Sequence, residues 1–226
     1  QGSRIHLHRA IRQRGERMKD TKPVVFIVDD DASVRRSLER LMQSVGLAAK
    51  SFASAALFLE SGCGEETGCL VLDVRMPELS GLELQEKMTR AGILLPVIFI
   101  SGHGTVPVSV RAMKAGALDF LQKPFDEQDL LEAVYRAIDR CRQDQAQRKD
   151  VMELEARIRT LTPKEQEVFA WVIAGVPNKI IADRLDTAEK TIKVHRASIM
   201  KKMGAQSVAD LVRMADKAGI RPSPTQ

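Results

Sequence analysis

The chain has 226 residues, enough for one large domain or two small ones, and its 44% hydrophobic and 29% charged residues are ordinary for folded chains. Wholesale disorder is excluded, and so is a membrane span, because apolar stretches such as Ile93 to Ile100 fall short of the roughly 20 residues that a spanning helix needs. The net charge of +5 hides a division: residues 23–143 carry 13 basic and 17 acidic side chains, whereas residues 160–226 carry 11 basic and 7 acidic, which suggests two jobs.

In chain order, residues 1–22 come first as a leader. Gln1 to Arg17 holds five Arg and one Glu without an apolar core, so it does not read as a signal peptide, and Met18 reads as a native start behind an appended segment. From Val24 to Phe125 short apolar runs alternate with amphipathic segments, the pattern of a doubly wound α/β domain with a five-stranded parallel sheet. The predicted strands are Val24 to Val28, a weak one near Ala48 to Phe52, Cys69 to Leu72, Pro96 to Ser101 and Asp119 to Gln122. Helices lie between them; Ser33 to Val45 places Val34, Leu38, Leu41, Met42 and Val45 on one face, and Gly46 stops it.

Residues 126–160 have no Pro or Gly and predict one long helix. Leu130, Leu131, Val134 and Ile138 suit packing on the sheet, Arg142 to Asp150 is polar, and Val151, Leu154, Ile158 and Leu161 form a second seam. That seam suits either a partner helix or the chain's own C-terminal domain. Thr162, Pro163 and Glu165 spell a capping box that opens a helix ended by Gly175. Further helices are predicted from Asn178 through Leu185, from Ala188 to Met203 and from Ser207 through Ala215, an all-α bundle of four. The predicted domains are therefore a sheet domain over residues 23–141, a helical linker over 142–159, a helical domain over 160–220 and a disordered tail over 221–226. Cys63, Cys69 and Cys141 have neither disulfide-framework nor zinc spacing, which points to reduced thiols and a cytoplasmic setting.

The chemistry gathers at predicted strand ends. Asp29 and Asp30 follow the first strand and Asp73 ends the third, so in an open parallel sheet the three acids converge on the crevice where strand order reverses. Clustered carboxylates resist ionisation unless a cation neutralises them, and an all-oxygen set beside phosphate favours Mg²⁺. Asp31 reads more simply as a helix N-cap. Ser101 and Lys123 place a hydroxyl and an ammonium on the same rim, which together describe a site for a phosphoryl group. Pro124 leaves a cis or trans peptide open. His103, between two glycines, reads as a surface residue rather than a base.

VVFIVDDDASVRRSL, LVLDVRMPELSG, PVIFISGHG and AMKAGALDFLQKPF resemble a bacterial response-regulator receiver, and LTPKEQEVF, NKIIADRL and TIKVHRASIMKKM resemble the helix-turn-helix of the FixJ/NarL type. The resemblance implies that a partner histidine kinase phosphorylates Asp73. It implies Asp30, Asp73 and the Arg75 carbonyl as Mg²⁺ ligands, with Asp29 acting through water. It also implies Ser101 and Lys123 as phosphoryl-binding groups, and Phe120 as a rotating aromatic whose simpler reading is a core residue.

For double-stranded DNA, the second helix of the motif would enter the major groove. With Ile192, His195, Ile199 and Met203 facing inward, the opposite side presents Lys190, Lys193, Val194, Ala197 and Lys201, with Thr191 and Arg196 at its margins. The expected readout is homodimerisation on phosphorylation, through Val106 to Ala115, strand Asp119 to Gln122 and the start of the long helix. No membrane partner is expected. Ile180 and Asp186 depart from the family pattern, the latter where a turn glycine is common. The rival enzyme reading, a Mg²⁺-dependent aspartyl-phosphate phosphatase, lacks the second acid of D-x-D, because Asp73-Val74 is followed by Arg75.

Overall fold

The computed structural model describes residues 22–63, 66–102 and 106–220. The predicted leader up to residue 21, with His6, His8 and Met18, the residues His103 and Gly104, and the predicted tail lie outside the described residues. The chain divides into two compact units between Asp144 and Gln145.

The first unit holds β1 (Val24–Val28), β2 (Ala48–Phe52), β3 (Gly68–Asp73), β4 (Val97–Ser101) and β5 (Asp119–Gln122). All pairings are parallel, in the order β2-β1-β3-β4-β5. Flanking them are α1 (Ala32–Ser44), α2 (Ala55–Glu60), α3 (Gly81–Arg90), α4 (Val106–Lys114) and the start of α5 (Glu127–Arg159). The three central strands are buried on both faces and alternate their side chains between two cores. Phe26, Leu70, Leu72 and Phe99 fill one; Val25, Ile27, Val71 and Ile98 meet Leu130, Val134 and Ile138 of α5 in the other. The weak strand β2 owes its polar sequence to its place at the sheet edge.

Local chemistry sets the details. Asp31 caps α1, accepting from the Ser33 N–H. Val45, assigned to the apolar face of that helix, is its exposed C-cap, because Gly46 at φ +75 turns the chain away. Strand β4 begins at Val97 rather than Pro96, and proline has no N–H to give a sheet ladder. Strand β3 begins at Gly68, where a Cβ would stand 1.9 Å from the Val24 carbonyl oxygen, so no side chain fits. The Gly68 N–H is donated to Sγ of Cys141 on α5, at 3.5 Å.

The second unit comprises the end of α5, then α6 (Pro163–Ile173), α7 (Asn178–Arg184), α8 (Glu189–Met203) and α9 (Val208–Lys217). The capping box is present: Thr162 accepts from the Glu165 N–H, and the Glu165 carboxylate accepts from the Thr162 N–H. Val168, Phe169, Val172, Ile181, Ile192, Ile199, Met203 and Leu211 form the core. Leu161 belongs to that core and Ile158 packs on it, so the seam at the end of α5 covers the chain's own helical unit. Asp186 adopts φ +48, the left-handed turn expected at its glycine-prone position. No described helix is long and apolar enough to cross a membrane.

Candidate phosphoryl site and nucleic-acid interface

Strand register builds the first site. Val28 pairs with Leu72, so Asp29 lies one step beyond the pair and level with Asp73, at the point where strand order reverses. Ile100 pairs with Leu121 and Ser101 with Gln122, which brings Ser101 and Lys123 to the same carboxyl edge. The Lys123 backbone N–H is donated to the Ser101 carbonyl at 2.8 Å, and the Lys123–Pro124 peptide is cis.

Lys123 joins the two acids. Its Nζ donates to Asp29 Oδ2 at 2.7 Å and to Asp73 Oδ1 at 2.8 Å. Asp29 is 1% exposed and Asp73 7%, so both charges need this partner. Burial pushes the Asp29 carboxyl up, opposed by the hydrogen bonds from Lys123 and from the Asp31 N–H. Burial also works to depress the Lys123 ammonium, but its hydrogen bonds to Asp29 and Asp73 outweigh it and hold the pKa above the ordinary lysine range. The Arg75 N–H is donated to Asp73 Oδ2 at 2.6 Å.

Asp30 and Arg75 are exposed, Ser101 is buried, and Phe120 is half-buried with its ring centroid 6.4 Å from that of Phe99. Phe120 thus packs on the core. Asp29, Asp30, Asp73 and the Arg75 backbone carry oxygen donors of the hard kind that Mg²⁺ takes. Among the described residues no group of three or more His, Cys, Asp or Glu side chains is placed to hold a metal ion. Gly81 makes room for the loop after β3, since a Cβ there would meet the Asp73 carbonyl oxygen at 2.2 Å.

The second site is the outward side of α8. Lys190, Thr191, Lys193, Val194, Ala197 and Lys201 are all exposed, while Ile192, Ile199 and Met203 are buried. Lys193 also pairs with Glu189 at 3.1 Å. Arg196 stands apart: it is half-buried, and its guanidinium donates to Asn178 Oδ1 of α7 at 2.9 Å, linking the two helices of the motif. His195 is half-buried, toward the side expected for it.

A model of the response regulator receiver domain matches residues 25–135, and one of bacterial regulatory proteins of the luxR family matches residues 159–215. Nodulation protein W of Bradyrhizobium diazoefficiens is 48% identical, over 95% of this chain and 94% of that one. Transcriptional regulatory protein FixJ of Rhizobium meliloti is 44% identical, over 90% of this chain and all of that one. The chain is a response regulator of the FixJ type. The solved response regulator StyR is similar throughout, with 46% identity, a TM-score of 0.78, and coverage of 87% of this chain and 100% of that one. The regulator therefore pairs a receiver with a luxR-type DNA-binding domain, the build of a phosphorylation-activated transcription factor rather than a classical enzyme.

Sequence reasoning missed several residues around these two sites. Arg35 donates to the carbonyls of Asp29 and Asp30 at 2.6 and 3.0 Å, bracing the acidic turn from one helical turn away. Glu165, read only as a cap, also accepts from Ser198 Oγ and Lys202 Nζ, each at 2.6 Å. The basic density of α8 hinted that Lys202 needed an acidic partner, but only the fold supplies its identity.

Proposed function

We propose that Asp73 is the phosphoacceptor of this regulator, taking the phosphoryl group from a sensor kinase's phosphohistidine with Mg²⁺ present. The observation that carries the reading is the Lys123 ammonium bound to Asp29 and Asp73 together, at 2.7 and 2.8 Å. In an in-line transfer a carboxylate oxygen of Asp73 bonds to phosphorus while the phosphorus–nitrogen bond of the donor breaks, and the imidazole leaves with that electron pair. Lys123 balances the Asp73 charge before the step and the phosphoryl oxygens after it, with the Ser101 hydroxyl donating to one of them. Asp30, Asp73 and the Arg75 carbonyl would hold Mg²⁺ directly and Asp29 through water; the ion would spread phosphoryl charge.

Phosphorylation then shifts the balance of two receiver states, because a ligand moves a population only through differential affinity. Phe120 couples the site to the β5 and α4 face. Val106, Val110 and Met113 expose apolar surface on α4, which supports a homodimer contact there. Lys190, Lys193, Arg196 and Lys201 serve phosphates or guanine edges of an operator duplex, Thr191 a phosphate, and Val194 and Ala197 a thymine methyl. The setting is the cytoplasm, a reading supported by three cysteines of which none is in a disulfide.

Intact-mass analysis after incubation with Mg²⁺ and acetyl phosphate tests the acceptor. One phosphoryl adduct is expected in the wild type and none in Asp73→Ala; an adduct of equal yield in the variant would sink the assignment.

A further inference from the structure

The outward side of α8 says what could touch DNA, but not what holds the helix in register. The inner side answers that. Arg157 Nη1, on α5, donates to the Met203 carbonyl at 2.9 Å, across 46 residues of chain. Met203 is the last residue of α8, where a carbonyl has no intrahelical donor and a cation is favoured by the helix dipole. Gly204 follows in the left-handed conformation, and a Cβ on it would stand 3.1 Å from Arg157 Nη1, so the guanidinium lies close against this turn. Lys202 Nζ donates to the Thr160 carbonyl at 3.0 Å and to Glu165 at 2.6 Å, and Ser198 Oγ donates to the other Glu165 oxygen.

Ser198, Lys202 and Met203 thus tie the last turns of α8 to the segment 157–165 that precedes and opens α6. The buried stripe of Ile192, Ile199 and Met203 fixes the distance of α8 from the core. Apolar packing is non-directional and tolerates small slides, whereas hydrogen bonds to two carbonyls and one carboxylate fix rotation and register. Reading base edges needs placement within roughly half an ångström and 10–20°.

We propose that Arg157 is a positioning residue for DNA reading: by holding the C-terminal end of α8 it sets the pose in which the outward face meets the groove. The inference rests on the reading of α8 as the groove helix. It gives the end of α5 a role beyond spacing, since the helix that packs on the receiver sheet at Leu130 and Val134 finishes by gripping the reading helix.

The test uses the full-length regulator, with and without acetyl phosphate, selecting from a pool of random-sequence duplexes. The wild type is expected to enrich a motif. Arg157→Ala should enrich it at least tenfold less, while its affinity for the unselected pool changes less than twofold, because phosphate contacts carry no sequence information. Arg157→Lys should restore enrichment, since a single N–H donor suffices. Lys217→Ala breaks the 2.7 Å pair with Asp150 that ties α9 to α5 without touching α8, and should leave enrichment unchanged. Should Arg157→Ala fail to fold by circular dichroism, Arg157→Met, which keeps the aliphatic stem but offers no donor, carries the same expectation. Undiminished enrichment by the folded variant, or an equal loss in Lys217→Ala, overturns the positioning role. A wild type that enriches no motif in either state removes the reading of α8 itself, and this inference with it.

Discussion

Lys123 is the residue on which the acidic edge depends, because it is the cation bound to both buried carboxylates. Its removal leaves Asp29 and Asp73 short of a donor, and an unpaired buried polar group costs about 1–3 kcal/mol, more when charged. Lys123→Ala should therefore lower receiver stability by about that amount in chelator, and millimolar Mg²⁺ should recover much of it by replacing the missing charge. Urea melts with and without the ion would check this; a variant as stable as the wild type in chelator would contradict it. Glu165 gives a pH signature in the other unit. The hydrogen bond from Lys202, then those from Ser198 and the Thr162 N–H, pull its carboxyl down to about 2. A depressed carboxyl contributes stability that is complete above its unfolded value of about 4.3 and is lost as pH falls toward about 2. Melting of the C-terminal unit should weaken across that window, and Glu165→Gln should flatten the dependence there.

At the scale of elements, the proposal that α8 reads sequence implies that it also carries the salt dependence. Each phosphate contact removed should reduce the slope of log affinity against log salt by about 0.9, so Lys190→Ala, Lys193→Ala and Lys201→Ala combined should reduce it by up to about 2.7. Binding titrations from low to high salt would measure this; an unchanged slope would place the phosphate contacts elsewhere. Helix and strand positions were legible because period and punctuation agree: Asp31, Gly46, Thr162 and Gly204 each end or open an element for a local reason. The positions of Asp29, Asp73, Ser101 and Lys123 were legible, since all sit at strand ends. What the chain could not reveal was pairing at a distance. Lys123 lies 94 residues from Asp29 and Arg157 lies 46 from Met203, and nothing local in either residue names its partner. Arg196 is a third case: helical spacing put it at the margin of the face, and its bond to Asn178, 18 residues away, ties it into the motif.

Across the whole molecule, residues 23–143 are net negative and residues 160–226 net positive, and the division between the two units falls within one helix, α5. On the proposed reading, the net positive residues 160–226 would carry the attraction to an operator duplex. All three cysteines lie in the receiver, and they are not equivalent. Cys69 and Cys141 are buried, and burial pushes the Cys69 thiol up to about 12, whereas Cys63 is partly exposed. Thiol-reactive dye should accordingly label one site quickly in the native protein and two only at the rate of receiver opening; three equally fast sites would contradict the packing. Because Cys141 Sγ accepts the Gly68 N–H, its labelling also timestamps the detachment of α5 from the strand that ends in Asp73. The protein thus carries its own clock for how often the phosphoacceptor strand and the long helix part company.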